Sequence, residues 1–454
     1  MAYDVIVLGG GPGGYMAAEK SGKAGLSTVC IEGRAYGGTC LNEGCIPTKA
    51  LLYSGKMYLH AKEAAAFGVH AENVTIDNAA VIDRKNKVVK TLVSGVEATL
   101  KAHKVEMVKE YGKITGKTAE GYTVEAGGKT YEGKNLIIAT GSVTSIIPIP
   151  GVKEGLASGY VLTNRELLDL KELPKKLVVL GGGVIGLEMA TYYAMVGVET
   201  VIIEMLDHIA GTTDKDMSKE LMKICGKMGM KFILGAKVTE VKGDRVVYEK
   251  DGQISEELTD KVLLSIGRRA NTDGIGLETI GVETNRGAVV TDEFMKTNVP
   301  NVYAVGDVNA KIMLAHVAYR EADVAVNTIC GIPDRMRYDA VPSVIYTLPE
   351  LSSVGETEES AKAKGLDVKV VRLPMIYSGR YLVENPGENG FMKLVFNKKY
   401  GTLIGAQFLC NYSSEFIATC AAFIEMEFTA DDMKQVILPH PTVAEIIRDA
   451  ASAY

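Results

Sequence analysis

Cys40 and Cys45 share the segment Gly37-Gly38-Thr39-Cys40-Leu41-Asn42-Glu43-Gly44-Cys45-Ile46-Pro47-Thr48-Lys49. Two thiols this close in a glycine-rich stretch can form a disulfide. On an unbroken helix, however, this offset turns the second side chain about 140° from the first. Gly44 and Pro47 are therefore expected to supply an irregular turn. A disulfide constrained in this way is easily reduced, and a helix N-terminus or a nearby cation, with Lys49 the candidate, lowers the pKa of the thiolate it releases. A metal half-site is the competing use of such a pair, but no cluster of His or Cys completes one, so no metal is expected. Of the seven cysteines, Cys30, Cys225, Cys330, Cys410 and Cys420 stand singly in apolar or mixed surroundings and read as core residues.

Thiol–disulfide exchange needs a base that works near neutral pH. His440-Pro441-Thr442-Val443-Ala444-Glu445 offers an imidazole with a carboxylate five residues on. Standing alone, Thr442-x-x-Glu445 fits a helix capping box and makes Glu445 structural. Beside a redox thiol pair, the segment reads as a base, His440, oriented by Glu445.

The electrons of a dithiol need a carrier, and a repeat supplies two candidate sites. A strand, Val5–Leu8, runs into Gly9-x-Gly11-x-x-Gly14, an Ala-rich helix and a second strand ending at Glu32. The same order recurs from Leu177–Leu180 through Gly181-x-Gly183-x-x-Gly186 to Glu204, and in each copy the acid lies 23 residues after the first glycine. The first glycine allows the tight turn, the second lets a pyrophosphate approach the backbone, and the third lets helix pack on strand. The pyrophosphate then meets the helix N-terminus, and the acid binds ribose hydroxyls. Met205, Leu206, Asp207 and His208 follow Glu204 without an Arg to hold a 2′-phosphate, so the second site reads as NAD rather than NADP. Two folds of this kind beside a dithiol imply FAD and NAD, although spacing alone leaves open which site takes which.

The elements that must position these residues point to several domains, since 454 residues exceed one simple core. Leu136–Gly141 and Leu263–Gly267 are strand-like runs that bracket the second repeat, as if it were inserted into the first domain. After re-entry, Asn301–Asp307 is a strand closing on an acid, and Met313-Leu314-Ala315-His316 opens a helix to about Ile329. Asp307 by itself fits a turn or N-cap residue as well as a polyol ligand, and His316 reads as a packed helix residue. Beyond Tyr338 the texture becomes short strands and hairpins, Phe391–Phe396 and Leu403–Leu409 among them, followed by a helix over Ser413–Glu427. The expected class is α/β: two Rossmann-like dinucleotide-binding domains plus a C-terminal α+β domain. The boundaries fall at 1–143 and 268–335 for the first domain, 144–267 for the second and 336–454 for the third.

Composition narrows the partners. A net charge of −6 with dispersed Lys and Arg excludes a nucleic-acid footprint or a polybasic membrane anchor. No apolar run is long enough to span a bilayer, and Met1-Ala2-Tyr3-Asp4 enters a strand directly, so the expected location is the cytoplasm.

The motifs GGTCLNEGCIPTK at 37–49, GGGVIGLE at 181–188, SIGRRANTD at 265–273, VYAVGDV at 302–308, YTLPELSSVGETEE at 346–359 and HPTVAEI at 440–446 carry a resemblance. Over nearly its whole length the chain resembles the flavin disulfide reductase family, and within it the dihydrolipoamide dehydrogenases. The resemblance implies a glutathione-reductase-like fold, non-covalent FAD on the first repeat, NAD on the second, and a homodimer made by the C-terminal domain, in which His440 serves the other subunit's disulfide. It implies that Cys40 exchanges with substrate, that Cys45 is the thiolate beside the flavin, and that Lys49 and Glu188 sit at its reactive nitrogen. Gly9, Gly11, Gly14, Glu32, Lys49, Gly141, Asp307 and Ala315 are the implied FAD contacts; Gly181, Gly183, Gly186, Glu204 and Gly267 line the NAD site.

The implied reaction is oxidation of protein-bound dihydrolipoyl groups with reduction of NAD. The lipoyl group would arrive on a carrier protein of a 2-oxoacid dehydrogenase or glycine-cleavage-type complex. Two alternatives use the same residues: an NADH-dependent reductase of a small soluble disulfide, and an electron-transfer flavoprotein subunit whose disulfide is not catalytic. Tyr377-Ser378-Gly379-Arg380 and the loop Glu384–Asn389 depart from the family pattern.

Overall fold

The computed structural model describes residues 2–386 and 390–454, and the chain divides into two compact units. Gly387, Glu388 and Asn389, part of the atypical loop, lie outside the described residues.

The first unit comprises residues 1–50, 79–146 and 267–337. Its seven-stranded sheet is built around Tyr3–Leu8, which pairs in parallel with Thr28–Ile31 on one side and Lys129–Ile138 on the other. Helix Pro12–Lys23 makes the crossover between the first two strands. Lys129–Ile138 has two further partners: its first half pairs antiparallel with Tyr122–Ala126, and its last residues pair in parallel with Val302–Ala304. The parallel strands are apolar on both faces, as strands covered on both sides must be. Ile6, Leu8, Val29, Ile31, Leu136, Ile138, Val302 and Ala304 form one cluster, each at most 3% exposed. Fully burying an Ile, Leu or Val contributes about 1.5–3 kcal/mol. Helix Ala315–Ile329 packs along helix Pro12–Lys23, with Tyr15 Oη and Tyr319 Oη 2.6 Å apart and Lys20 paired to Asp323 at 2.7 Å.

The second unit comprises residues 51–78, 147–266 and 338–454. It repeats the theme in a five-stranded parallel sheet ordered Met230–Ile233, Glu199–Ile203, Lys176–Leu180, Lys261–Leu264, Val161–Leu162. A three-stranded antiparallel sheet, Ala236–Lys242, Arg245–Lys250 and Gln253–Leu258, is inserted before its last-formed strand. The C-terminal part of this unit is a five-stranded antiparallel sheet with Leu403–Leu409 and Phe391–Asn397 near its middle. Helix Ser413–Glu425 covers it, and Phe408 meets Phe416 edge-on at 5.0 Å. Within the unit, buried Lys393 of this sheet bonds Asp214 at 2.9 Å and Asp216 at 2.7 Å, and Asp214 also N-caps helix Lys215–Lys227.

Four sequence expectations need adjustment. Cys330 is exposed rather than in the core, because it ends helix Ala315–Ile329 where the chain turns away. His316 is exposed on the first turn of that helix rather than packed. The helix begins at Ala315, two residues after Met313, since Leu314 is still extended as its N-cap. The helix expected to reach Glu427 ends at Glu425, and Glu427 has a left-handed φ of 54°.

Candidate functional site

The redox segment is two helices separated by one residue. Gly38–Glu43 ends at Gly44, whose φ of −141° and ψ of −110° are not helical, and Cys45 opens the helix Cys45–Glu63. Gly44 alone makes the break: a Cβ there would lie 3.0 Å from the Thr39 carbonyl oxygen. Pro47, expected to share that task, instead sits in the first turn of the second helix, where its missing N–H costs nothing. Both cysteines are half-buried thiols, and Cys40 is hydrogen-bonded to Cys45. That bond, then burial, pushes the Cys40 thiol well above its ordinary pKa, while the Lys49 ammonium opposes the shift. Cys45 opens helix Cys45–Glu63, and a helix N-terminus favours a thiolate. Tyr15 and Tyr319 face the same thiols, whose charge adds to burial and, at Tyr15, to the hydroxyl pair in raising the phenol pKa values.

The two glycine turns have the same internal geometry. In the first, a Cβ at Gly9 would collide with the Ala139 carbonyl and one at Gly14 with the Gly9 carbonyl, while the nearest atom to a Cβ at Gly11 is Gly38 Cα at 3.7 Å. In the second, Gly181 would lie 2.6 Å from the Ser265 carbonyl oxygen and Gly186 would strike the Gly181 carbonyl, while Gly183 has nothing within 4 Å. The outer glycines are closed by packing and the middle one is open. Gly11 and Gly183 are N-caps with no side-chain cap bond, so the helix N–H groups are left for an anion. This is the cradle a dinucleotide pyrophosphate requires, and the residues present fit one in each turn. The acids match too. Glu32 accepts from Gly10 N at 2.7 Å and Arg34 N at 2.7 Å; Glu204 accepts from Gly182 N at 2.7 Å and Leu206 N at 2.8 Å.

Asp307 lies in a short turn, Gly306–Asn309, just past strand Val302–Ala304. Ser142 Oγ donates to Asp307 at 2.5 Å, and Arg268 holds Ser142 through its side-chain and carbonyl oxygens at 2.8 and 2.7 Å. Ser142 had no sequence signal of its own, and Arg268 entered only within the motif SIGRRANTD at 265–273. Gly141 has a left-handed φ of 71°, and Ala315 is the first residue of its helix. Gly267, assigned from sequence to the NAD site, belongs to the first unit, where its carbonyl accepts from Ser145 N at 3.0 Å. Lys49 is also in the first unit. Glu188 is in the second, 4% exposed, accepting from Tyr346 N at 3.0 Å.

His440 and Glu445 meet. His440 Nδ1 is 2.8 Å from Glu445 Oε1, while Glu445 Oε2 accepts from Thr442 N at 2.7 Å in a complete capping box. One Glu445 oxygen meets the imidazole and the other accepts from the capping-box N–H. The Thr442 N–H and then His440 hold its carboxyl below the ordinary carboxylate range. The imidazole is 82% exposed, open to a partner. Ser378, in the atypical segment, donates to the Thr442 carbonyl at 3.2 Å and so braces this loop. Among the described residues no cluster could hold a metal ion, and no helix is long and apolar enough to cross a membrane.

Residues 3–322 match the family described as pyridine nucleotide-disulphide oxidoreductase, and residues 341–451 match the dimerisation domain of the same family. The chain belongs to this family. It is 42% identical to the dihydrolipoyl dehydrogenase of Bacillus subtilis (strain 168), covering 99% of this chain and 95% of that protein. It is 39% identical to the mitochondrial dihydrolipoyl dehydrogenase of Pisum sativum, covering 99% and 91%. Among solved structures, the HOCl-induced flavoprotein disulfide reductase RclA from Escherichia coli superposes with a TM-score of 0.87 at 28% identity, covering 99% of each chain. The expected fold class is thereby established: the chain is an α/β flavoprotein oxidoreductase that uses FAD and NAD(H) and carries a C-terminal dimerisation domain.

Proposed function

We propose that this chain oxidises protein-bound dihydrolipoyl groups to the lipoyl disulfide and reduces NAD+ to NADH. The observation that carries the reading is the Cys40–Cys45 pair, two hydrogen-bonded thiols on either side of a helix break, in a chain that repeats the dinucleotide turn.

The residues act as follows. His440, oriented by Glu445, takes a proton from one dihydrolipoyl thiol, and the thiolate attacks Cys40 in the disulfide form of the pair. Cys45 leaves as a thiolate, stabilised by its helix N-terminus and by Lys49. The second lipoyl thiolate attacks the mixed disulfide at the lipoyl sulfur, so the lipoyl disulfide departs and Cys40 regains a proton. Two electrons now reside in the dithiol. Bound FAD supplies the two-electron carrier between this dithiol and NAD+.

Residues 1–143 and 268–335 form the FAD domain, with Gly9, Gly11, Gly14, Glu32, Lys49, Gly141, Asp307 and Ala315 as contacts. Residues 144–267 hold NAD through Gly181, Gly183, Gly186 and Glu204. Residues 336–454 pair two copies into a homodimer, so that His440 serves the partner's dithiol. The lipoyl group arrives on a carrier protein of a 2-oxoacid dehydrogenase or glycine-cleavage-type complex in the cytoplasm.

Cys45→Ser abolishes NAD+ reduction by dihydrolipoamide on this reading; full turnover by that variant refutes it. An enzyme that oxidises NADH with small soluble disulfides yet ignores dihydrolipoamide would instead be a disulfide reductase running the other way.

A further inference from the structure

The loop from Glu32 to Gly38 leads from the acid of the first glycine turn to the redox helices, and it is built tightly. Tyr36 is fully buried and donates to the Cys30 carbonyl at 2.9 Å; Gly37 N donates to the Gly10 carbonyl at 2.8 Å. Arg34 projects from this loop. Its backbone N–H is held by Glu32, and its guanidinium grips Glu43 with both forks, Nη1–Oε1 2.9 Å and Nη2–Oε2 2.9 Å. Glu43 is the last residue of helix Gly38–Glu43, between Cys40 and Cys45, and its side chain is only 9% exposed. A bidentate Arg–carboxylate pair is geometrically specific, and here the carboxylate is buried while the Arg34 side chain is 45% exposed. The reaction proposed above has no role for it.

Its place gives it one. Glu43 precedes Cys45 by two residues, so their Cα atoms are at most about 7 Å apart. A carboxylate so near the start of helix Cys45–Glu63 opposes the thiolate that the helix terminus favours; the guanidinium cancels it. We infer that the Arg34–Glu43 pair is a positioning device for the redox turn: it fixes the residue before the Gly44 break and neutralises a charge that would otherwise disfavour the Cys45 thiolate. The inference rests on the proposed role of Cys45. The other titratable groups facing the thiols are Lys49 on the same helix, Tyr15 from helix Pro12–Lys23 and Tyr319 from helix Ala315–Ile329; Tyr111 and Glu32 face Arg34.

The test is the pH dependence of alkylation of Cys45 by iodoacetamide in the reduced, FAD-loaded protein, read for each cysteine by mass spectrometry. Arg34→Met should raise the midpoint by about one pH unit, a tenfold loss of thiolate at fixed pH. Glu43→Gln should lower it, and Arg34→Met with Glu43→Gln should return it to the wild-type value. Single variants that shift in the same direction, or not at all, or a double variant that fails to return, overturn the inference. If Arg34→Met does not fold, Arg34→Lys with an unchanged midpoint and Glu43→Gln with a lowered one still support it, and Glu43→Gln at the wild-type midpoint overturns it. Wild-type oxidation of dihydrolipoamide is measured separately; its absence would remove the proposed function while leaving the alkylation profile to be read on its own.

Discussion

The contrast between Gly183 and Gly186 can be turned into a measurement. Gly183→Ala adds a methyl group at an extended residue, φ −80° and ψ −173°, with no atom within 4 Å of it. Ala adopts that conformation without strain, and by restricting the unfolded chain it stabilises by about 0.4–1 kcal/mol. The same methyl at Gly186 strikes the Gly181 carbonyl and crowds Ser265 Oγ at 2.9 Å and Val179 Cγ1 at 3.1 Å. A carbon–oxygen contact relaxes at about 3.3 Å. Helix Val184–Met195 must therefore shift against its strand, an overpacking that costs about 1–3 kcal/mol. The two variants should differ in stability by about 1.4–4 kcal/mol although they sit three residues apart. The chain has no Trp, so urea unfolding is best followed by circular dichroism. NAD binding is read as the rise in midpoint with saturating nucleotide. Gly183→Ala should match or exceed wild-type stability and lose most of the NAD-induced rise, because the methyl fills the pyrophosphate cradle; Gly186→Ala should unfold early with or without nucleotide. A Gly183→Ala protein that NAD stabilises as well as it does the wild type would refute the assignment of the open glycine.

Glu204→Ala should weaken NAD binding by about 1–3 kcal/mol by removing the ribose acceptor and freeing the Gly182 and Leu206 N–H groups, which isothermal titration would report, with a smaller loss for NADP. Lys393→Met should destabilise by about 3–5 kcal/mol in thermal unfolding, since it strands the buried Asp214 carboxylate. Lys393 also holds the Asp216 carboxyl below its ordinary range, so that contribution is complete above the ordinary carboxylate pKa and fades as pH falls through the lowered value; the wild-type advantage over Lys393→Met should shrink in acid. Glu445→Gln keeps the capping box but not the anion beside the imidazole, so kcat/KM for dihydrolipoamide should fall tenfold or more while the melting temperature barely moves.

The glycine turns were legible because their chemistry leaves little choice: a Cβ at Gly9, Gly14 or Gly186 has nowhere to go, and such constraints write themselves into residue type at fixed spacing. The His440–Glu445 contact was legible for a related reason, since a capping box is a local pattern and the loop brings its acid back to the imidazole. What escaped depends on distance along the chain or on partners of ordinary type. Ser142, Arg268 and Asp307 come from three separate stretches and meet only through the fold. Arg34 and Glu43 are nearer in sequence, but nothing in a nine-residue spacing across a loop and a helix announces a bidentate pair. Cys330 misled because its apolar neighbours belong to the buried face of helix Ala315–Ile329, whereas the cysteine sits at the helix end, turned out. Pro47 misled because its ring suits a helix first turn as well as a break.

The central claim is that electrons enter through Cys40 and Cys45 from a dihydrolipoyl thiol. Anaerobic addition of dihydrolipoamide to the FAD-loaded protein, in the absence of NAD+, tests it most directly. The account predicts growth of a long-wavelength band from the Cys45 thiolate beside a flavin that stays oxidised, the two electrons being held by the dithiol, and no such band in Cys45→Ser. An unchanged spectrum in the wild type, under conditions where NADH reduces the flavin fully, would contradict it.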